Sequence, residues 1–462
     1  MKNNAKKSNG HIRREKILDA VLLLLLVLLF VQCGVYMARF TDIRRTSSAV
    51  PFDMRMLSAS SSEGTAKLDP GLLAPEVIGI CTDGGWHALF HSAAVTEEIY
   101  GVVNECLYSA LEAEPMMASP ELWRESVGKN AVFVQYSSEL PYQVVLAFSS
   151  AREENAPLPR QGERYIGVRE LLLRPDDTGM FRDVLVRGSS GIFRFSLNSE
   201  LSYTDFAVYP NMYSDLFCRV EMSDSGAQMS LTALDALSVR AVHTARGVTT
   251  LLTGSEDFLR LMDFNPDKLN YHTEQNGTVV YVESHGILRA GEDTLSYQAS
   301  DRGGISLTSL GTEHGDIYSY LQASSELIER LERINGQYTG GDASLRLERI
   351  TSDGTSITLF FSFRCDNILL VREGEDYGLT LSFSENKLTA MQYHMCIVRR
   401  TLEARRVPLQ NWYRKMLGGT ENSPMRLVYS GEAQATSVTA QWMRYGGDFR
   451  EQGGEIPWDG QN

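Results

Sequence analysis

Residues 356–364 read SITLFFSFR, and the alternation in this stretch decides the fold class. Successive side chains of a strand point to opposite faces. Leu359, Phe361 and Phe363 therefore share one face, and Thr358, Phe360, Ser362 and Arg364 the other. A strand that is apolar on one side belongs to an antiparallel sheet covered on that side. The cover is expected just upstream. Asp316–Asn335 sets Ile317, Tyr320, Leu321, Leu327, Ile328 and Leu331 on one helical stripe and ends near Gly336. Phe361 and Phe363 are predicted to pack with Ile328 and Leu331 as a core. Around this pair lie the further strands Leu345–Ile350, Tyr377–Ser384 and Lys387–Arg399. After a connector near Leu409–Leu417, Met425–Tyr429 and Thr436–Tyr445 supply closing strands.

Further upstream the same order recurs. A helical stretch is predicted over Leu231–Val242, then a capped short helix over Ser255–Leu261. A hairpin follows, Tyr271–Glu274 and Thr278–Ser284, turned by Asn276-Gly277 because Asn-Gly suits the tight turn that matches strand twist. Thr294–Gln298 is its next strand. A helix followed by an antiparallel meander, twice over, is an α+β arrangement with an internal repeat. The preceding unit reads as α/β. It offers strands at Glu76–Cys81, Trp86–Phe90, Ala131–Tyr136, Tyr165–Leu173, Phe181–Val186 and Ile192–Ser196. Its helix, Thr96–Ala113, repeats Ile99, Val102, Val103, Cys106, Leu107, Ala110 and Leu111 at three and four.

At the other end of the chain, Ile17–Ala38 is a nearly unbroken apolar run containing DAVLLLLLVLLFVQCGVYMA. As a helix it spans roughly 30 Å, the thickness of a bilayer's hydrocarbon. The sixteen residues before it carry +5, which places the N-terminus in the cytoplasm and the rest outside. A cleaved signal peptide has a shorter core and a small-residue exit. Here the exit is Val35-Tyr36-Met37-Ala38-Arg39, and Phe30-Val31-Gln32 before Cys33 lacks the small residues of a lipoprotein signal. An uncleaved anchor is the expectation. Leu22–Phe30 offers no polar group, so helix association there must rest on Gln32, Cys33 and Gly34, the predicted partner-contact residues. The expected organisation is a basic arm (1–16), a transmembrane helix (17–38), a linker (39–73), an α/β domain (74–198), two α+β domains (199–312 and 313–445) and a tail (446–462).

The chain of 462 residues carries −14, and setting aside the basic arm leaves −19 outside. Such a surface repels nucleic acid and anionic headgroups. The cysteines form no CxxC pair, and scattered buried thiols are the expected state, with a Cys365–Cys396 cross-sheet pair as the alternative. No nucleophile elbow, zinc helix motif, P-loop or dinucleotide fingerprint occurs. His87 and His91 stand four apart near Cys81 and Asp83, but in a strand such residues lie about 13 Å apart. Asp176-Asp177 and Glu153-Glu154 read as solvated acids. The sequence thus assigns no catalytic, cofactor-binding or metal residue.

Several segments resemble the YycH family of membrane-anchored regulators in Gram-positive bacteria. They are Trp123-Arg124-Glu125-Ser126 before Ala131–Tyr136 and Leu140-Pro141, then YHTEQNGTVVYVESHGILRAGEDTLSYQ (Tyr271–Gln298). Glu326–Tyr393 with the ILLV edge (Ile368–Val371), Arg426-Leu427-Val428-Tyr429 and Gln441-Trp442 complete them. The long basic arm and the Gly-rich tail depart from that pattern. The resemblance implies a protein that is not an enzyme and that binds and tunes an essential cell-wall-controlling sensor histidine kinase (YycG-like), together with a YycI-like membrane protein. It also implies that the transmembrane helix shares in the contact. The alternative is an extracytoplasmic binding or envelope-assembly module that captures a peptide or cell-wall fragment.

Overall fold

The computed structural model describes residues 68–444 apart from 84, 111–112, 151–165, 225, 227, 311–316, 340, 353–355, 373–376, 412–424 and 432–436. The expected anchor with Gln32, Cys33 and Gly34, the arm, most of the linker, Glu153, Glu154 and the tail lie outside the described residues. Among the described residues no helix is long and apolar enough to cross a membrane.

The described chain is a mixed α+β molecule, mostly sheet. Its first sheet runs, edge to edge, through Met116–Met117, Gly191–Ser196, Phe181–Gly188, Gly167–Pro175, Val132–Pro141, Val77–Thr82, Gly85–Leu89, Phe217–Asp224 and Met229–Ala233. Every neighbouring pair in it is antiparallel, so the α/β expectation for this part gives way to α+β. Helix Ala93–Tyr108 packs against it with Ile99, Val103, Cys106 and Leu107 fully buried. Helix Pro120–Val127 begins where Ser119 accepts from the Leu122 amide at 3.2 Å, with Pro120 pre-set for the first turn.

The second sheet joins strands from both segments read as repeats. Tyr271–Thr273, Val279–Glu283, Gly286–Ala290 and Thr294–Ala299 form a meander. Its last strand pairs with Lys387–His394, in register from Thr294 opposite His394 to Gln298 opposite Ala390. Leu379–Ser384, Ser356–Cys365, Ile368–Arg372, Met425–Gly431 and Ala440–Arg444 continue the sheet, and Ser344–Ser352 also pairs with Ser356–Cys365. Two hairpins close on Asp366-Asn367 and Glu385-Asn386, where both central residues have positive φ (49° and 66°, 48° and 63°), the geometry of the twist-matched tight turn. The long helix Ile317–Thr339 covers one face, with Tyr320 stacked on Phe383 at 4.9 Å. Phe361, Phe363, Ile328 and Leu331 are all buried in one hydrophobic cluster, as the alternation predicts.

Two further expectations are corrected. Leu231–Val242 is not helical: it holds the end of strand Met229–Ala233, a turn, and the start of strand Ser238–Arg246. Leu231, Leu234 and Leu237 imitate a helical stripe, but all five residues of Met229–Ala233 are buried, the mark of a strand covered on both faces. Likewise Lys387–Arg399 is not one strand. It breaks after His394, and Cys396–Arg406 leaves the sheet to form a separate two-stranded ribbon with Ser238–Arg246.

Candidate functional site

The predicted open face of Ser356–Cys365 is in fact covered toward its end. Ser362 and Arg364 are buried, because the first sheet and the strand before it close over them. Burial of a guanidinium demands a paired acid, and Glu348 supplies it. Arg364 Nε donates to Glu348 Oε1 at 2.8 Å and Arg426 Nη2 to Glu348 Oε2 at 3.0 Å. Arg426 Nε also meets Glu76 at 2.8 Å, and Arg364 donates to Asn367 at 3.2 Å. Asn367 then donates to the Pro75 carbonyl at 3.0 Å, and the Ser138 hydroxyl donates to the Glu348 carbonyl. Residues 75–76 and 138 belong to the side of the first sheet and Arg364, Asn367 and Arg426 to the second, so this network joins the two. Phe90 edge-on to Trp442 at 5.2 Å adds an apolar contact beside it. Burial alone would raise the Glu348 carboxyl, but Arg364 and Arg426 outweigh it and hold it at about 2.

Next to this network opens a cleft of ≈ 560 Å³. One wall is the start of helix Ala93–Tyr108; another is the Asp366-Asn367 turn, whose Asp366 carbonyl accepts from the Ser92 amide at 2.8 Å. Arg240 and Arg400 of the ribbon complete it. Its charges are largely paired: Arg400 contacts Asp342 and Asp366, each at 3.1 Å, and Arg346 contacts Glu97 at 2.7 Å. A cleft of this size and polar lining suits a hydrophilic ligand or an inserted polar side chain.

The histidine pair is not brought together. His87 sits on strand Gly85–Leu89, its Nδ1 3.1 Å from the Thr82 hydroxyl. His91 lies beyond the strand's end, buried in the cleft wall. Burial lowers its pKa, with Asp366 pulling partly the other way. Asp176 organises its own turn, accepting from the Thr178 amide and hydroxyl and the Met180 amide. Cys81, Cys106, Cys218, Cys365 and Cys396 are all buried free thiols. Burial pushes Cys106, Cys218 and Cys365 up to about 12, which makes them poor nucleophiles. Among the described residues no three His, Cys, Asp or Glu side chains are grouped for a metal.

A second buried ionic group, which sequence reading missed, lies within the first sheet. Glu170 accepts from Arg187 at 2.6 Å and from the Met229 amide at 2.7 Å, and Arg187 also meets Asp224 at 2.9 Å. Arg187 stands 4.4 Å over the Trp123 ring. Met229 is several strands from Glu170 in the sheet order, so these contacts mark a strongly curled sheet. The motif Trp123-Arg124 was legible in the sequence; its distant partners were not.

Geometry of this kind holds two sheets together and presents surfaces, with no nucleophile–base set in view among the described residues. The structure aligns with that of YycH from Bacillus subtilis at a TM-score of 0.53, covering 79% of this chain and 93% of that one. The fold is YycH-like. Sequence identity over the YycH alignment is 11%. No family model and no curated protein matches the sequence.

Proposed function

We propose that this chain is a membrane-anchored extracytoplasmic regulator that binds and tunes a cell-wall-controlling sensor histidine kinase, with a YycI-like membrane protein as second partner. The observation that carries this reading is the YycH-like fold across most of the chain. The sequence resemblance in Tyr271–Gln298 and Glu326–Tyr393 falls on strands and helix of that fold. The basic arm and the apolar run Ile17–Ala38 support a single-pass anchor with a cytoplasmic N-terminus. The protein acts by binding, not as an enzyme.

The second reading, an extracytoplasmic module that captures a peptide or cell-wall fragment, draws on the ≈ 560 Å³ cleft. Affinity purification of the full chain from detergent-solubilised membranes separates the two. Recovery of the sensor kinase, and of a YycI-like protein with it, supports the regulator. Recovery of wall-synthesis proteins without a kinase supports capture.

A further inference from the structure

Helix Ala93–Tyr108 starts without a side-chain cap. Ser92, in the capping position, donates its own amide to the Asp366 carbonyl at 2.8 Å, and its hydroxyl accepts from no helix amide. The amides of Ala93 and Ala94 have no acceptor among the described residues, and both residues line the ≈ 560 Å³ cleft. Such first-turn amides carry the positive end of the helix dipole and need acceptors from elsewhere. Two side chains of the same wall share this lack. Thr96 is 2% exposed, and its Oγ1 has no hydrogen-bond partner. His91 is 7% exposed, and its ring makes no hydrogen bond among the described residues. Strand Ser238–Arg246 brings Arg240 to the cleft as well. The acids that line it are taken: Glu97 meets Arg346 at 2.7 Å, and Asp342 and Asp366 each meet Arg400 at 3.1 Å. Arg364 is turned to Glu348 at 2.8 Å. Arg240 has no acidic partner among the described residues.

A buried polar group without a partner is costly, and it calls for a group from outside the chain to complete it. What is left over here can all donate: two amides, a hydroxyl, an imidazole and a guanidinium. Burial holds His91 below its ordinary pKa, with Asp366 opposing in part, so the ring is neutral and offers one N–H. Donors gathered at a helix start beside an uncommitted arginine suit an oxyanion. We propose that the start of helix Ala93–Tyr108, with His91, Thr96 and Arg240, binds the oxyanion group, phosphate or carboxylate, of a small hydrophilic ligand in this cleft. The cleft's ≈ 560 Å³ lies within the roughly 300–1,000 Å³ of small-molecule sites. A chain that carries −14 repels polyanions, so a ligand bearing one such group fits best. Water is the other occupant to consider; it would satisfy the amides but has no use for Arg240. The inference goes beyond the regulator reading and does not depend on a kinase.

The test uses the full chain in non-ionic detergent and titration calorimetry with two probes, inorganic phosphate and N-acetyl-dialanine. One probe or both should bind saturably. Binding of phosphate alone identifies a phosphoryl ligand, and binding of the peptide alone a terminal carboxylate. Mutual competition shows that both take the same site. Arg240→Gln, a change at an exposed residue, should weaken binding about tenfold. Thr96→Val keeps the shape of the side chain and removes a hydroxyl that bonds nothing within the chain. Its unfolding temperature should therefore equal or exceed that of the wild type, while affinity falls about three- to tenfold. Arg260→Gln, on the short helix Glu256–Leu261 and outside the cleft lining, should match the wild type. No saturable binding of either probe would overturn the proposal, and so would binding that Arg240→Gln and Thr96→Val leave unchanged. Either failure leaves the kinase reading standing, since no kinase enters the assay.

Discussion

Phe361 and Glu348 stand on neighbouring strands and show two kinds of burial. Phe361 is fully buried on the face that the long helix covers. Phe361→Ala should destabilise the protein by about 3–5 kcal/mol, a cost of lost transfer energy plus cavity. Thr358 is half-buried and its hydroxyl meets the Ser382 hydroxyl at 3.0 Å, so Thr358→Ala should cost about 1 kcal/mol or less. Denaturant unfolding of both variants checks the pair, and equal losses would refute the register. Glu348 is held at about 2 against an ordinary 4.5. A carboxyl lowered on folding contributes stability above its unfolded value and loses it as pH falls toward the folded one. The wild type should therefore shed about 3 kcal/mol between pH 4.5 and 2 through this group. Glu348→Gln should be less stable at neutral pH by about 3–5 kcal/mol, because two guanidinium groups lose their acid, and its stability should fall less steeply in acid. Unfolding free energies measured across that range compare the two slopes. The alternation in SITLFFSFR made the Phe361 face legible. It was silent about Arg364, because period two separates faces without saying what covers each; Glu348 lies on the adjoining hairpin strand, but Arg426 and the first sheet are brought near only by tertiary pairing.

Among elements, the clearest readings were those with strong local chemistry. The Asn276-Gly277 hairpin, the Ser255 cap and the long amphipathic helix all formed where expected. Readings failed where tertiary burial overrode local period. Met229–Ala233 is buried on both faces, and the Gln410 side chain accepts from the Ala233 amide at 2.8 Å, so its leucine spacing carried no helical meaning. Gly286–Ala290 went unread because GILRA is short and opens on glycine. For the expected anchor, which lies outside the described residues, the prediction concerns close approach of helices. Gly34→Leu should weaken kinase association while leaving membrane insertion intact. Co-purification together with carbonate extraction of membranes measures both. Replacement of the whole anchor by an unrelated single span with full regulation retained would reduce it to a tether.

For the whole molecule, the sequence predicts α+β, which the structure shows, and a repeated order of helix and meander, whose first helix at Leu231–Val242 is strand and turn instead; it does not show that the strands of both segments merge. Thr294–Ala299 is half-polar and offers an open edge; Lys387–His394 has the matching alternation and completes it. That pairing is non-local, and no local pattern encodes which edges meet. The same holds for the network of Glu76, Glu348, Arg364 and Arg426, which fixes one sheet against the other and so sets the shared surface on which cleft and ribbon lie. On the proposed regulator reading, the protein presents this fixed surface to its kinase. The most direct test is the autophosphorylation rate of the purified sensor kinase in proteoliposomes, with and without the full chain co-reconstituted. The chain should change that rate, and an unrelated single-pass protein at equal density should not. An unchanged rate, with both proteins in the same bilayer, would contradict it.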